Sequence, residues 1–144
     1  MKKIIILFLS ILILNSCIFS DKESIDKAQI LDILKQIEYS FNQFDLEPIM
    51  KNYHPDFFHR GKTFYNEESV WIDRKVLYLN LLIDDIKITL DHNFAIVRMK
   101  VYFWEYHNEI PIQFIEPEIN GDMSYFYFDD YIGEWKIFGN QQFE

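Results

Sequence analysis

Three side chains near the end of a predicted strand have the spacing of a metal site. Glu105, His107 and Glu109 occupy alternate positions. On a β-strand, alternate side chains share one face and lie about 6.6–7 Å apart. Carboxylate and imidazole donors of this kind suit several divalent cations. The same residues would equally form a solvated charged edge, and no second cluster has comparable spacing, so we expect no metal and no other cofactor.

Nucleophilic and nucleotide chemistry lack their sequence signatures in this chain. There is no Gly-rich phosphate loop and no G-x-S-x-G turn, which are the motifs that cradle phosphates or expose a nucleophilic serine. The chain has one Cys, Cys17. A single thiol forms no internal disulfide and builds no Cys-based zinc site.

Aromatic residues are the more informative group. The run Tyr125-Phe126-Tyr127-Phe128 places two Tyr on one face of a strand and two Phe on the other. Phe94, Tyr102 and Trp104 share one face of a longer strand. An ordinary core with amphipathic Tyr would explain this pattern, because protein surfaces carry much apolar area. A ligand pocket or a protein-contact face would explain it equally, since Tyr and Trp are enriched there.

Length and charge restrict the class of protein. The 144 residues fit a single domain, and 49% hydrophobic residues suffice for a sizeable core, which argues against disorder. Acidic residues outnumber basic ones by 23 to 14, giving a formal charge of −9. This balance argues against nucleic acid or anionic lipid headgroups as the main partner.

The N-terminus has the anatomy of an export signal. Lys2 and Lys3 precede an apolar stretch from Ile4 to Leu14, about half of the ~20 residues that span a bilayer as a helix. We therefore expect a removed leader rather than a transmembrane anchor. The two lysines are the only charges in residues 1–16, so removal takes the formal charge from −9 to −11.

The residues that follow resemble the lipobox of bacterial lipoproteins. Leu14-Asn15-Ser16-Cys17 has an aliphatic residue three positions before Cys17 and a small residue directly before it. The resemblance implies diacylglycerol on the Cys17 sulfur, cleavage before Cys17 and usually a further acyl chain such as palmitate on the new amine. An ordinary secretory signal with a chance Cys is the alternative. Several acyl chains anchor a protein stably, whereas one holds it weakly.

Two longer helices with a short one between them precede the strands. An apolar residue recurs every three or four positions between residues 22 and 44, which is the period of one helix face. The stripe consists of Ile30, Leu34, Ile37, Phe41 and Phe44. A short helix capped by Asp45 should stop at His54-Pro55, because a residue before proline avoids the helical conformation. Acids in the first turn of Asn66-Glu67-Glu68 predict a further helix over 66–82.

From residue 84 onward the apolar period changes to two, which predicts strands. The expected strands are 84–90, 94–106, 110–116, 123–129 and 135–138. Asp91-His92-Asn93 provides turn chemistry between the first two. Pro111 and Pro117 favour an edge position for residues 110–116.

This order of elements is α+β and resembles the NTF2-like superfamily, in which a curved antiparallel sheet wraps a long N-terminal helix into a cone. The resemblance is carried by Phe44-Asp45-Leu46-Glu47-Pro48-Ile49-Met50, by Tyr53-His54-Pro55-Asp56-Phe57, and by the closing Gly133-Glu134-Trp135-Lys136-Ile137. It covers nearly all of residues 22–140, although the stretch from Glu105 to Asn120 is longer than the family norm. The fold alone does not specify a function.

The resemblance implies an apolar pocket at the mouth of the cone, which is a common type of ligand site. We expect the pocket to be lined by Tyr53, Phe58, Trp71, Tyr102, Trp104, Tyr125 and Tyr127. Steroid-isomerase members of the family use a carboxylate base, whose position falls near Gly61 here. His59 is the nearest basic side chain, and an isomerase or dehydratase would use it with Tyr39 or Tyr53 as donor.

Together these patterns predict a lipid-anchored protein of the cell envelope, on the outer membrane or the outer face of the cytoplasmic membrane. Residues 1–16 form the signal peptide, 17–21 the lipidated tether and 22–144 the NTF2-like domain. We expect a non-catalytic domain that binds a small apolar ligand or a protein, with a second copy or another envelope protein as the partner. The alternative is the isomerase or dehydratase that uses His59.

Overall fold

The structure is a computed structural model that describes residues 2–118 and 120–143, with side chains from residue 21 onward. The helices are α1 (Lys2–Asn42), α2 (Glu47–Lys51) and α3 (Phe64–Leu77). The strands are β1 (Phe58–His59), β2 (Lys62–Thr63), β3 (Tyr78–Asp91), β4 (Phe94–Glu105), β5 (Ile112–Glu116), β6 (Tyr125–Asp129) and β7 (Glu134–Ile137). The α+β order predicted from the sequence is confirmed.

The main sheet is antiparallel and curled, with strand order β3-β4-β6-β7. Strand β5 pairs with β4 over Met99–Phe103, whereas β6 pairs with β4 over Phe94–Ile96. One face of β4 packs against the helices and contributes the buried residues Ala95, Val97, Met99, Val101 and Phe103. This is the face that the alternating sequence pattern predicts, because successive strand side chains point to opposite sides.

Helix α1 buries the predicted stripe except for Phe44, which lies beyond the end of the helix at Asn42, has φ of 65° and is exposed. Ile30, Leu34, Ile37 and Phe41 are fully buried against the sheet. The helix also covers the edge of the sheet, since Asn42 exchanges two hydrogen bonds with the Leu81 backbone at 2.8 and 2.9 Å. These bonds satisfy backbone groups that an edge strand otherwise leaves open to other chains. All buried residues of the apolar core fall between positions 30 and 137 of the sequence. A chain that begins at residue 17 therefore contains the whole core.

Both predicted ends of α3 and the predicted cap of α2 are wrong. The helix expected over 66–82 begins after Thr63, whose side chain forms a reciprocal capping box with Asn66, and it ends at Leu77. Tyr78 is already extended and pairs with Glu105 in the sheet. The apolar residues up to Leu82 are compatible with a helix or a strand. Pairing with β4 stabilises the strand. Asp45 does not cap α2, whose N-cap is Leu46.

Candidate functional site

Helix α3 directs charged side chains into the interior together with one apolar side chain. Glu67, Trp71 and Arg74 lie at positions i, i+4 and i+7, which is one face of a helix, and all three are buried. The apolar residues Ile72 and Val76 are exposed on the other side. This arrangement is the reverse of an ordinary amphipathic helix, so the inner face of α3 marks the polar centre of the molecule.

Arg74 is the central group of this buried cluster. Its Nη2 donates to Asp122 Oδ2 at 2.5 Å, and its Nη1 lies 3.5 Å from Glu67 Oε1. The guanidinium stacks on Trp71, with 4.6 Å from Cζ to the ring centroid. Trp71 Nε1 donates in turn to Tyr53 Oη at 2.9 Å. Burial opposes the charged form of Arg74, but the two acidic partners raise its pKa above the usual value.

The two carboxyl groups beside Arg74 differ in protonation. Burial and the Asp122 charge raise the pKa of Glu67 to about 9. Burial acts in the same direction on Asp122, but Arg74 and a hydrogen bond with Glu67 outweigh it and hold that pKa at about 2. Among the described residues, no hydrogen-bond partner is present for Asp122 Oδ1, for either Glu67 oxygen or for Arg74 Nη1. A proton on Glu67 gives these two adjacent carboxyl groups a donor, because the protonated Glu67 carboxyl donates to Asp122.

A third buried carboxyl group lies on β5. Glu116 Oε2 accepts from Ser124 Oγ at 2.9 Å. Burial and the Asp122 charge raise the pKa of Glu116 to about 7, while the Ser124 hydrogen bond acts in the opposite direction. The interior therefore holds a neutral acid, an ion pair and a carboxyl group that titrates near neutrality.

Groups with separated pKa values are suited to acid–base chemistry in principle. Here, however, Glu67, Asp122 and Ser124 are fully buried, and Glu116 is nearly so. A catalytic acid or base must come within hydrogen-bond distance of its substrate. In this conformation the cluster is buried, and its ion pair and hydrogen bonds connect α3 with β5 and with the segment before β6.

His59 is engaged at both ring nitrogens. Its Nε2 lies 2.6 Å from the Asn120 carbonyl oxygen, and its Nδ1 accepts from the Asn140 backbone N–H at 3.2 Å. These partners assign the neutral tautomer with the proton on Nε2. Burial lowers the pKa of His59, which is 2% exposed. The structure thus leaves this imidazole no lone pair that faces a substrate.

The proposed donors and pocket residues are divided between separate places. Tyr39 is exposed on α1, whereas Tyr53 and Trp71 are buried in the interior. Phe58 packs edge-on against Phe143, with 4.9 Å between ring centroids. The remaining pocket residues are half-buried on the outer face of the sheet, and they are Tyr102, Trp104, Tyr125 and Tyr127. The seven side chains therefore do not line a single cavity.

A recess of about 440 Å³ lies on the outer face of the sheet. Its walls are formed by Phe94, Ile96, Tyr125, Phe138 and the backbone from residue 139 to 142. Gly139, with φ of 79°, approaches the Phe58 carbonyl so closely that a Cβ atom would collide with it. This close contact holds the C-terminal segment against β1 and closes one side of the recess, which we call the outer recess.

The expected strand face for Glu105, His107 and Glu109 is not formed. Strand β4 ends at Glu105, and the chain turns there, with φ of 70° at His107. All three side chains are exposed. Within the described residues no group of three or more His, Cys, Asp or Glu side chains is placed to hold a metal ion.

The buried cluster is what the sequence analysis missed. Glu67 was interpreted only as a favourable charge in a first helical turn, and Arg74, Glu116 and Asp122 were not singled out. The spacing of Glu67, Trp71 and Arg74 on one helix face was the available signal. Periodicity of charged residues does not reveal whether their face points inward, because helix-surface ion pairs have the same spacing.

The lipidation site lies outside the described side chains. The backbone of residues 2–20 belongs to α1, but the side chain of Cys17 is not described. In the part of the chain with described side chains, no helix is both long and apolar enough to cross a membrane. The signal peptide and the acylated Cys17 therefore stay predictions.

Comparison of the folded chain with solved structures identifies its fold. A protein of unknown function with a cystatin-like fold from Nostoc punctiforme gives a TM-score of 0.61 at 11% identity, over 80% of this chain and 87% of that chain. A candidate scytalone dehydratase from Novosphingobium aromaticivorans gives 0.61 at 12% identity, over 83% and 84%. The chain has an NTF2-like fold.

A candidate ketosteroid isomerase from Shewanella frigidimarina shares the NTF2-like fold, with a TM-score of 0.56 at 16% identity over 77% of this chain and 91% of that chain. No protein-family model and no curated protein matches the sequence. At such low identities the NTF2-like fold is established, but the activity of these neighbours does not transfer to this chain.

Proposed function

We propose that this protein is a lipid-anchored envelope protein whose NTF2-like domain binds a small apolar molecule in the outer recess. The observation that carries the proposal is the distribution of space in the molecule. The interior is occupied by the apolar core and the cluster around Arg74, whereas the outer recess of about 440 Å³ is open on the surface. Ligand sites in proteins commonly measure about 300–1,000 Å³.

The composition of the outer recess favours a neutral ligand with an aromatic or flat apolar part. Phe94 is half exposed, and its ring lies 5.0 Å from that of Tyr127 and 6.3 Å from that of Phe138. Aromatic side chains of this kind stack on planar apolar groups. Asn140 and Gln141 also line the outer recess, but the Gln141 amide nitrogen donates to the Asp56 and Phe138 carbonyls and the Asn140 amide oxygen accepts from the Gln142 N–H.

The engagement of His59 favours binding over catalysis. An isomerase or dehydratase in the interior requires a base whose lone pair reaches the substrate. Both His59 nitrogens are hydrogen-bonded to the backbone, and the carboxyl groups of Glu67, Glu116 and Asp122 are buried. A non-catalytic binding role requires no such group.

Ile96→Glu should weaken binding of the neutral probe N-phenyl-1-naphthylamine by at least about tenfold, because an unpaired charge would replace an apolar wall. The measurement is a fluorescence titration of residues 17–144. Ile115→Glu is the matched control, since Ile115 and Ile96 are both 44% exposed strand residues and only Ile96 lines the outer recess. Equal affinity of the two variants, or no probe binding by the native chain, would refute the proposed site.

Cys17→Ser should abolish membrane retention, because Cys17 is the only thiol in the chain. In native membranes the intact protein should carry the mass of residues 17–144 plus diacylglycerol and an acyl chain. The variant should be found in the soluble fraction without this added mass. A native protein with an unmodified Cys17 would contradict lipid anchoring while leaving the outer recess untouched.

A further inference from the structure

One end of the domain contains the first residues of α1 whose side chains the structure describes, starting at residue 21. Asp26 Oδ1 accepts from Trp135 Nε1 at 3.1 Å, which fixes this end of α1 to β7. The turn between β3 and β4 lies beside Lys22, across a recess of about 400 Å³. Asn93 of that turn donates to Asp130 Oδ2 at 2.8 Å and so reaches the turn between β6 and β7. We call these two turns and residues 21–26 the anchor end.

The turn between β6 and β7 presents two apolar side chains to solvent at the anchor end. Tyr131 is 98% exposed and Ile132 is 45% exposed. Their backbone N–H groups donate to Asp129 Oδ1 at 2.8 and 3.2 Å. Asp129 Oδ2 is paired in turn with His54 Nε2 at 3.0 Å. The turn is therefore held in shape by a side chain that is itself anchored in the domain, and its apolar tip is a fixed feature.

The chain that leads to Cys17 leaves the domain at this same end. Only Ile18, Phe19 and Ser20 separate Cys17 from Asp21, the first residue of the anchor end, which is four residues along the chain. Four residues span at most about 14 Å when fully extended and about 6 Å as a helix. A lipid on Cys17 would therefore keep the anchor end within about 14 Å of the headgroups.

We propose that the anchor end rests on the lipid surface, with Tyr131 and Ile132 inserted at headgroup level. This inference rests on the lipid anchor of the proposed function and adds the orientation of the domain. Tyr is enriched at membrane interfaces, where its ring is buried and its hydroxyl group stays hydrated. One acyl chain binds reversibly, so a second contact from the protein strengthens attachment.

The charges around the tip specify the type of lipid. Asp21, Glu23 and Asp130 belong to the anchor end, and Asp91 directly precedes one of its turns. Lys22 is the one Lys or Arg of the anchor end, and Lys27 pairs with Glu23 at 2.6 Å, so acidic side chains remain in excess. An acidic rim repels phosphatidylserine and similar anionic headgroups. The anchor end therefore suits a zwitterionic surface, and anionic lipid should weaken its contact.

The test uses residues 17–144 with a single hexadecyl chain attached chemically to the Cys17 thiol. Partition into phosphatidylcholine vesicles is measured by sedimentation. The double variant Tyr131→Ser with Ile132→Ser should partition roughly fivefold to tenfold more weakly, because two apolar side chains no longer leave water on binding. Addition of phosphatidylserine should reduce the partition of the unsubstituted chain.

The matched control is Tyr65→Ser with Ile72→Ser on α3. Tyr65 is 84% exposed and Ile72 is 49% exposed, so the same two residue types are removed outside the anchor end. The partition of this control variant should stay within about twofold of that of the unsubstituted chain. This change is well below the effect of removing one apolar side chain from a membrane contact. Equal loss in both double variants, or no loss in either, overturns the inference. Because the lipid is attached chemically, this result does not depend on natural acylation, which the mass of the native protein tests separately.

Discussion

Replacing Arg74 with Met should lower the free energy of unfolding by about 3–5 kcal/mol, because removal of one partner leaves a buried charge without compensation. Asp122 is fully buried, and its only described cationic partner is Arg74, at 2.5 Å. Met fills much of the same space without charge, so lost packing is a smaller part of the effect. Urea unfolding of residues 17–144 at pH 7, followed by tryptophan fluorescence, measures the change.

A second substitution separates the charge from the packing. Asp122→Asn in the Arg74→Met background should restore part of the lost stability, because it removes the uncompensated carboxylate. Lys51→Met is the control for an exposed pair, since Lys51 lies 2.7 Å from Glu47 in solvent. It should change stability little. An Arg74→Met variant as stable as the native domain would show that the cluster around Arg74 is not formed.

The free energy of unfolding should fall as the pH rises from about 5 to about 9. The pKa of Glu67 is raised from 4.5 to about 9 and that of Glu116 from 4.5 to about 7. Between the unfolded and folded pKa values, each group keeps a proton in the folded state that the unfolded chain has lost. Their contribution is thus complete below about pH 4.5 and is lost as pH rises. Each such proton changes stability by up to about 1.4 kcal/mol per pH unit.

Asp122 has the opposite effect, but at lower pH. Its pKa falls from 3.8 to about 2 in the folded state, so its stabilising contribution is present above about pH 4 and is lost towards pH 2. The sum of the three carboxyl groups therefore places maximum stability in mildly acidic solution. Thermal or urea unfolding at several pH values checks this directly.

Glu67→Gln should flatten the fall in stability between about pH 8 and 9, because Glu116, with a pKa of about 7, has lost most of its proton by about pH 8. The amide has the shape of the neutral carboxyl group and donates to Asp122 without titrating. Glu68→Gln is the matched control, since Glu68 is the next residue along α3 and its side chain is exposed. An unchanged slope in Glu67→Gln would show that Glu67 does not hold a proton in the folded protein.

The sequence by itself determined the elements that bury one face over many residues. The stripe from Ile30 to Phe41 predicted α1, and the alternation from Ala95 to Phe103 predicted the inner face of β4. Both patterns are local, because the periods of helix and strand follow from backbone geometry alone. The order of these elements was enough to indicate the NTF2-like fold, which the structural neighbours establish.

Only the tertiary structure decided where α3 ends and which of its faces is buried. The apolar character of residues 78–82 is compatible with both strand and helix. They form a strand because β4 offers hydrogen-bond partners. Glu67 and Arg74 become an interior pair because Asp122 arrives from a segment 48 residues further along the chain. A buried charge is tolerated only when its partners are in place, and that condition depends on the assembled fold rather than on any local pattern.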